Sequence, residues 1–156
     1  MSVTQFELVS HWRIAAPLQR VWPEIVDVDA WPSWWRAVRK VERLNDGDAN
    51  GIGALRRLTW ATALPYTITF DVVSTRIEPM RLIEGQASGE LSGVGLWTLA
   101  SDGVETTVRY DWRVDLGKPW MRSLAPLLRP AFAWNHNVLM RWGEEDLRRR
   151  LGINSS

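Results

Sequence analysis

The sequence predicts an α+β fold: a seven-stranded antiparallel sheet, two short helices between its first and second strands, and a long C-terminal helix. Three observations carry that expectation. Apolar residues alternate with polar ones in the first and last of the strand-like runs, turn chemistry recurs between short runs from Val38 to Leu116, and one unbroken amphipathic pattern follows.

The first strand spans residues 4–14, with Phe6, Leu8, Trp12 and Ile14 on one face and Glu7, His11 and Arg13 on the other. Ala16-Pro17 ends it. Val21, Trp22, Ile25 and Val26 then recur at helical spacing, with Pro23 predicting a kink or a short first turn. Asp27 to Trp35 forms a second helical piece, with Pro32 near its start. Beyond Val38, turn residues at Asn45-Asp46-Gly47, Asn50-Gly51, Glu78-Pro79, Gly89 and Asp102-Gly103 cut the chain into six strands. Val108, Tyr110, Trp112 and Val114 alternate against Arg109, Asp111, Arg113 and Asp115, and Tyr66, Ile68, Phe70 and Val72 against Thr67, Thr69 and Asp71. Such a meander is an antiparallel sheet with one face in solvent.

From Pro130, suited to a first helical position, to Leu151 the pattern is helical, and Gly152 is a natural terminator. Leu128, Phe132, Asn135, His136, Leu139, Met140, Gly143 and Leu147 share one side; Arg141, Glu144, Glu145 and Arg148 take the other. The sheet is the one large apolar surface on which that stripe can be buried.

The chain has 156 residues, enough for one domain over 1–156, with no repeat or linker. Nineteen basic and eighteen acidic residues leave a net charge of +1, which argues against a nucleic-acid surface. Cysteine is absent, which excludes disulfides, thiolate chemistry and cysteine-bound metals and suits a cytoplasmic location. With two histidines, His11 and His136, no multi-histidine metal site is expected, and no cofactor. The start MSVTQFELV has no signal-peptide pattern. The longest uncharged stretch, Leu58 to Phe70, contains Pro65 and falls short of the ~20 residues of a membrane span. Eleven tryptophans stand out.

Strand, two short helices, six strands and a long helix is the helix-grip order. Along it lie Val21-Trp22, Asp27, Trp31 to Trp35, Trp60, Leu64-Pro65-Tyr66, Gly89-Glu90-Leu91, Gly93 and Trp97-Thr98-Leu99. Thr107-Val108-Arg109-Tyr110 and Trp134-Asn135-His136 with Met140, Gly143 and Leu147 complete the set. In these residues, from about Phe6 to Leu151, the chain resembles the START-like SRPBCC superfamily, in its polyketide cyclase/dehydrase branch. The resemblance implies a sheet curved around the C-terminal helix and a hydrophobic cavity between them. Members use that cavity for lipids, sterols, polyketides, plant hormones or quinones, as carriers or as cyclases and aromatases.

Trp60, Tyr66, Phe70, Trp97, Tyr110 and Trp112 fall on the face expected to be concave, opposite Phe132, Asn135, His136 and Leu139. Apolar walls with few polar groups suit a small hydrophobic molecule. Gly93 and Gly95 would permit a bulge that turns Trp97 over. His136 is the candidate for acid–base chemistry, or for orienting a ligand with Asn135 or Tyr110. Both Asn135 and His136 also have structural readings, as a buried amide clamp and a core histidine.

Three functions are therefore carried forward: a binder of a lipid, polyketide or quinone-like molecule; a cyclase, aromatase or dehydratase using the same cavity; and a protein that meets a partner or a membrane periphery. Trp31, Trp34 and Trp35, beside Arg36 and Arg39, are the candidate surface for the last, against a plainer role anchoring the short helix. Trp120 and Met121 are a candidate gate. The Arg148–Arg150 run reads as the solvated, dipole-complementing end of the helix. The oligomeric state is left open.

Overall fold

The computed structural model describes residues 5–63, 65, 67–115, 123 and 125–153. Seven strands, β1 (Gln5–Ile14), β2 (Val38–Asn45), β3 (Leu55–Ala61), β4 (Thr67–Glu78), β5 (Leu82–Gly89), β6 (Ser92–Ser101) and β7 (Thr106–Asp115), form one antiparallel sheet in the order β1-β7-β6-β5-β4-β3-β2. Helix α1 (Leu18–Val26) and a 3-10 helix (Val28–Ser33) lie between β1 and β2, and α2 (Ala125–Arg150) closes the fold. This is the helix-grip arrangement, and the turns fall where the Gly, Asn, Asp and Pro clusters place them.

One helical expectation needs correction. The C-terminal helix does not begin at Pro130: it is already formed at Ala125, and Pro130 lies inside it. Pro130 forfeits one N–H bond, to the carbonyl of Pro126, within the second turn. The second helical piece is the 3-10 helix Val28–Ser33. The other end of α2 follows its sequence. Gly152 takes φ +74°, its N–H bonds Arg149 O at 3.1 Å, and the Ile153 N–H bonds Arg148 O at 2.8 Å, which together close a Schellman cap.

One end of the interface between α2 and the sheet is packed solid with indoles. Trp35, fully buried, lies within 6.0 Å, centroid to centroid, of Trp12, Trp31, Trp34, Trp60 and Trp97. Each such pair contributes about 0.5–1.5 kcal/mol beyond its buried area. The Trp35 N–H donates to the carbonyl of Leu139 in α2 at 3.0 Å. Next to it, the backbone N–H of Arg36 donates to Asp146 at 2.8 Å and its guanidinium to the same carboxylate at 2.7 Å. Burial opposes ionisation of Asp146, but the Arg36 bonds outweigh it and hold the carboxyl below its usual range.

The free edge of β1 is capped by α2 at Arg13. The Arg13 N–H donates to Glu144 at 2.8 Å, and Arg148 donates to the Arg13 carbonyl at 2.8 Å. The arginine run at the end of α2 is thus tied down and not simply solvated, with Arg149 on Asp146 and Arg150 on Glu24.

Gly143 lets α2 sit this close. A Cβ there would stand 2.6 Å from Trp12 and 2.7 Å from Trp35, ring atoms with no room to retreat. Gly143→Ala is therefore expected to lower stability by roughly 1–3 kcal/mol, despite alanine's better helix propensity. Urea unfolding checks this; an unchanged or higher midpoint would show that the indoles yield.

Candidate functional site

Away from the indole cluster, sheet and helix do not fill the space between them. In the middle of the sheet Gly85 of β5 pairs with Gly95 of β6, and Val72 packs where a Cβ on Gly85 would stand. A Cβ on Gly95 would stand 2.6 Å from the Tyr110 hydroxyl, so the ring of Tyr110 leans over bare backbone. Across this glycine floor, rings from separate strands come together. Trp60 and Phe70 are near parallel at 6.4 Å, Phe70 and Trp112 at 6.0 Å, Trp112 and Tyr110 at 6.3 Å.

These four rings are the shared wall of two chambers. The sheet-side chamber, with about 80 Å³ open to the centre of a water-sized molecule, reaches from the rings past Leu58, Val72 and Trp97 to Val28, Arg56 and Ser74. The helix-side chamber, also about 80 Å³, is bounded by Phe132, Asn135, His136 and Leu139 of α2 with Leu91 of the sheet.

Few polar atoms interrupt the walls. His136 Nε2 lies 3.2 Å from Ser10 Oγ, and its ring stacks on Tyr110 at 6.0 Å. Burial pushes the His136 pKa down to about 4, so the imidazole is neutral at neutral pH. Burial also pushes the Tyr110 phenol up, which keeps it protonated and a donor. Asn135 accepts the Ala63 N–H on Oδ1 at 2.7 Å and lines the helix-side chamber. That is the clamp reading of Asn135, and it fixes the chain after β3 to the helix.

The residues marked in the sequence are brought together: Trp60, Phe70, Tyr110 and Trp112 line both chambers, Trp97 the first, and Phe132, Asn135, His136 and Leu139 the second. Trp97 points inward, so no bulge turns it over. Tyr66, Leu64, Trp120 and Met121, and the side chain of Leu128, lie outside the described residues. Of the two readings of the tryptophan patch, the anchoring one holds: Trp31, Trp34 and Trp35 are 5%, 8% and 0% exposed and belong to the core, which removes them as a surface for a membrane or partner.

Sequence reading missed Ser10, Arg56 and Ser74. Period-two alternation puts Arg56 on the face of Leu58 and Trp60, a signal that was available but overridden by charge. Among the described residues no helix is long and apolar enough to cross a membrane, and no cluster of three or more His, Asp or Glu residues could hold a metal ion.

The model of a family described as polyketide cyclase/dehydrase and lipid transport matches residues 5–152. Among solved structures, the protein TTHA0849 from Thermus thermophilus superposes with a TM-score of 0.74 at 18% identity, over 93% of this chain and 99% of that one. The ZhuI aromatase/cyclase from Streptomyces sp. R1128 gives 0.70 at 17%, over 93% and 95%. A START superfamily protein from Mycobacterium smegmatis gives 0.63 at 15%, over 85% and 96%. At these identities the likeness is one of fold. No curated protein matches the chain.

The depressed pKa of His136 has a sign. The unfolded chain binds a proton near the ordinary 6.5 while the folded protein resists until about 4, so stability is full above 6.5 and falls as pH drops toward 4. His136→Gln should reduce the stability lost between about pH 7 and pH 4 by up to roughly 3 kcal/mol. Urea titrations at the two pH values check it, and equal losses in both proteins would place the imidazole in solvent.

Proposed function

The chain belongs to the polyketide cyclase/dehydrase and lipid transport family, and from that premise we propose that it binds a small hydrophobic molecule between the sheet and α2. The observation that carries the reading is the shared wall of Trp60, Phe70, Tyr110 and Trp112, four rings that face open space on both sides. Removing apolar ligand surface from water contributes roughly 25 cal/mol per Å² before the costs of association. Neutral His136, protonated Tyr110 and the Asn135 amide then orient the molecule through hydrogen bonds.

Chemistry on the bound molecule is the second reading, favoured by the contact of a neutral imidazole with a phenol. His136 would take a proton as general base and Tyr110 would donate to a developing enolate oxygen, with the walls holding a chain folded for ring closure. The two readings part at one variant: His136→Gln spares binding in both and abolishes turnover of a polyketide substrate in the second.

Neutral N-phenyl-1-naphthylamine, which fluoresces in apolar surroundings, tests the site itself. The wild-type protein is expected to bind it saturably. Ala87→Phe, which fills the sheet-side chamber from β5, should weaken binding by roughly tenfold or more. Circular dichroism verifies that the variant is folded. Undiminished binding to the folded variant would place the probe elsewhere and overturn the reading.

A further inference from the structure

The far end of the sheet-side chamber differs chemically from the rest. Arg56 lies on the inward face of β3 together with Leu58 and Trp60, and its side chain is 15% exposed. Opposite it in the register is Val72, which makes Ser74 its diagonal neighbour on the same face of β4. Ser74 is 8% exposed, and its hydroxyl has no hydrogen-bond partner among the described residues. Its own partner across β5 is Gly85, so no side chain covers it from that side.

Asp29 binds Arg56 through Nε at 2.9 Å and Nη2 at 3.4 Å, and binds Arg43 as well. Arg43 in turn meets Asp46 at 3.4 Å, so two guanidinium groups face two carboxylates and the cluster carries no formal net charge. Arg56 Nη1 makes no hydrogen bond among the described residues. The other acid bordering the chamber, Glu84, accepts the hydroxyl of Thr75 at 3.0 Å, an exposed contact.

An unpartnered hydroxyl on buried Ser74 and the half-buried guanidinium of Arg56, with Nη1 still to be bonded, stand at the end of an apolar chamber and match an acidic head on an apolar body. We propose that Arg56 and Ser74 form a carboxylate site, so that the molecule bound by this protein is an amphiphilic acid whose tail lies against the rings. Two donors suit the two oxygens of a carboxylate; Asp29 holds the Arg56 fork in place and so acts as a positioning residue. The assignment rests on the reading of the chambers as a ligand site.

Decanoate and decanol, competing separately against N-phenyl-1-naphthylamine at about pH 8, test it. Wild type should bind decanoate roughly tenfold more tightly than decanol. Arg56→Gln should erase that preference, and Ser74→Ala should reduce decanoate affinity by about threefold. Arg57→Gln, on the outward face of the same strand and paired with Asp71, should change neither. Equal affinities in wild type, or a preference that survives Arg56→Gln, would overturn the carboxylate site and leave the hydrophobic cavity standing. Decyl phosphate binding more tightly than decanoate would also overturn it, in favour of a phosphate head. Failure of the naphthylamine itself to bind would instead remove the cavity reading, and the head-group site with it.

Discussion

Trp35 donates its indole N–H to the Leu139 carbonyl from within a ring of five other indoles, and the position of α2 depends on that contact. Without it the helix would have a stripe of apolar residues but no fixed height or rotation over the sheet. Truncating such a residue removes several aromatic contacts at once, and large-to-small changes of this kind cost about 3–5 kcal/mol. The cluster accepts a penalty of its own. The N–H groups of Trp12, Trp34 and Trp60 are buried and have no hydrogen-bond partner among the described residues, each a cost of about 1–3 kcal/mol that ring packing must offset.

The interface between sheet and helix therefore has two ends of opposite character. Beside Trp35, Gly143 removes a side chain so that helix and rings touch. Over β5 and β6, Val72 and the ring of Tyr110 take the places that side chains on Gly85 and Gly95 would need, and Phe70, Tyr110 and Trp112 brace one another beyond them. The rigid end holds the open end against collapse, and this is how a chain rich in tryptophan keeps unfilled space at its centre.

Much of this was readable from the residues. Period-two alternation placed Phe70, Tyr110 and Trp112 on the inner face, since each sits between outward polar or charged neighbours. His136 and Asn135 followed from the helical stripe. The failures have physical causes. Pro130 reads as a helix start because proline suits a first position, yet a helix tolerates its missing N–H one turn later. Arg56 was passed over because charge usually means solvent. Ser10 and Ser74 carry no pattern signal, and only tertiary packing reveals that one faces an imidazole and the other an empty corner. The tryptophans from 31 to 35 could be surface or core on sequence alone; partners on four separate elements decide the matter.

The central claim is that the space around the shared ring wall is real, apolar and held open. A crystal structure under xenon pressure tests it most directly, because xenon enters dry apolar cavities and not packed ones. Xenon should appear on both sides of the wall formed by Trp60, Phe70, Tyr110 and Trp112, with none among the indoles around Trp35. Rings collapsed into the chambers, and no xenon between sheet and helix, would contradict the account.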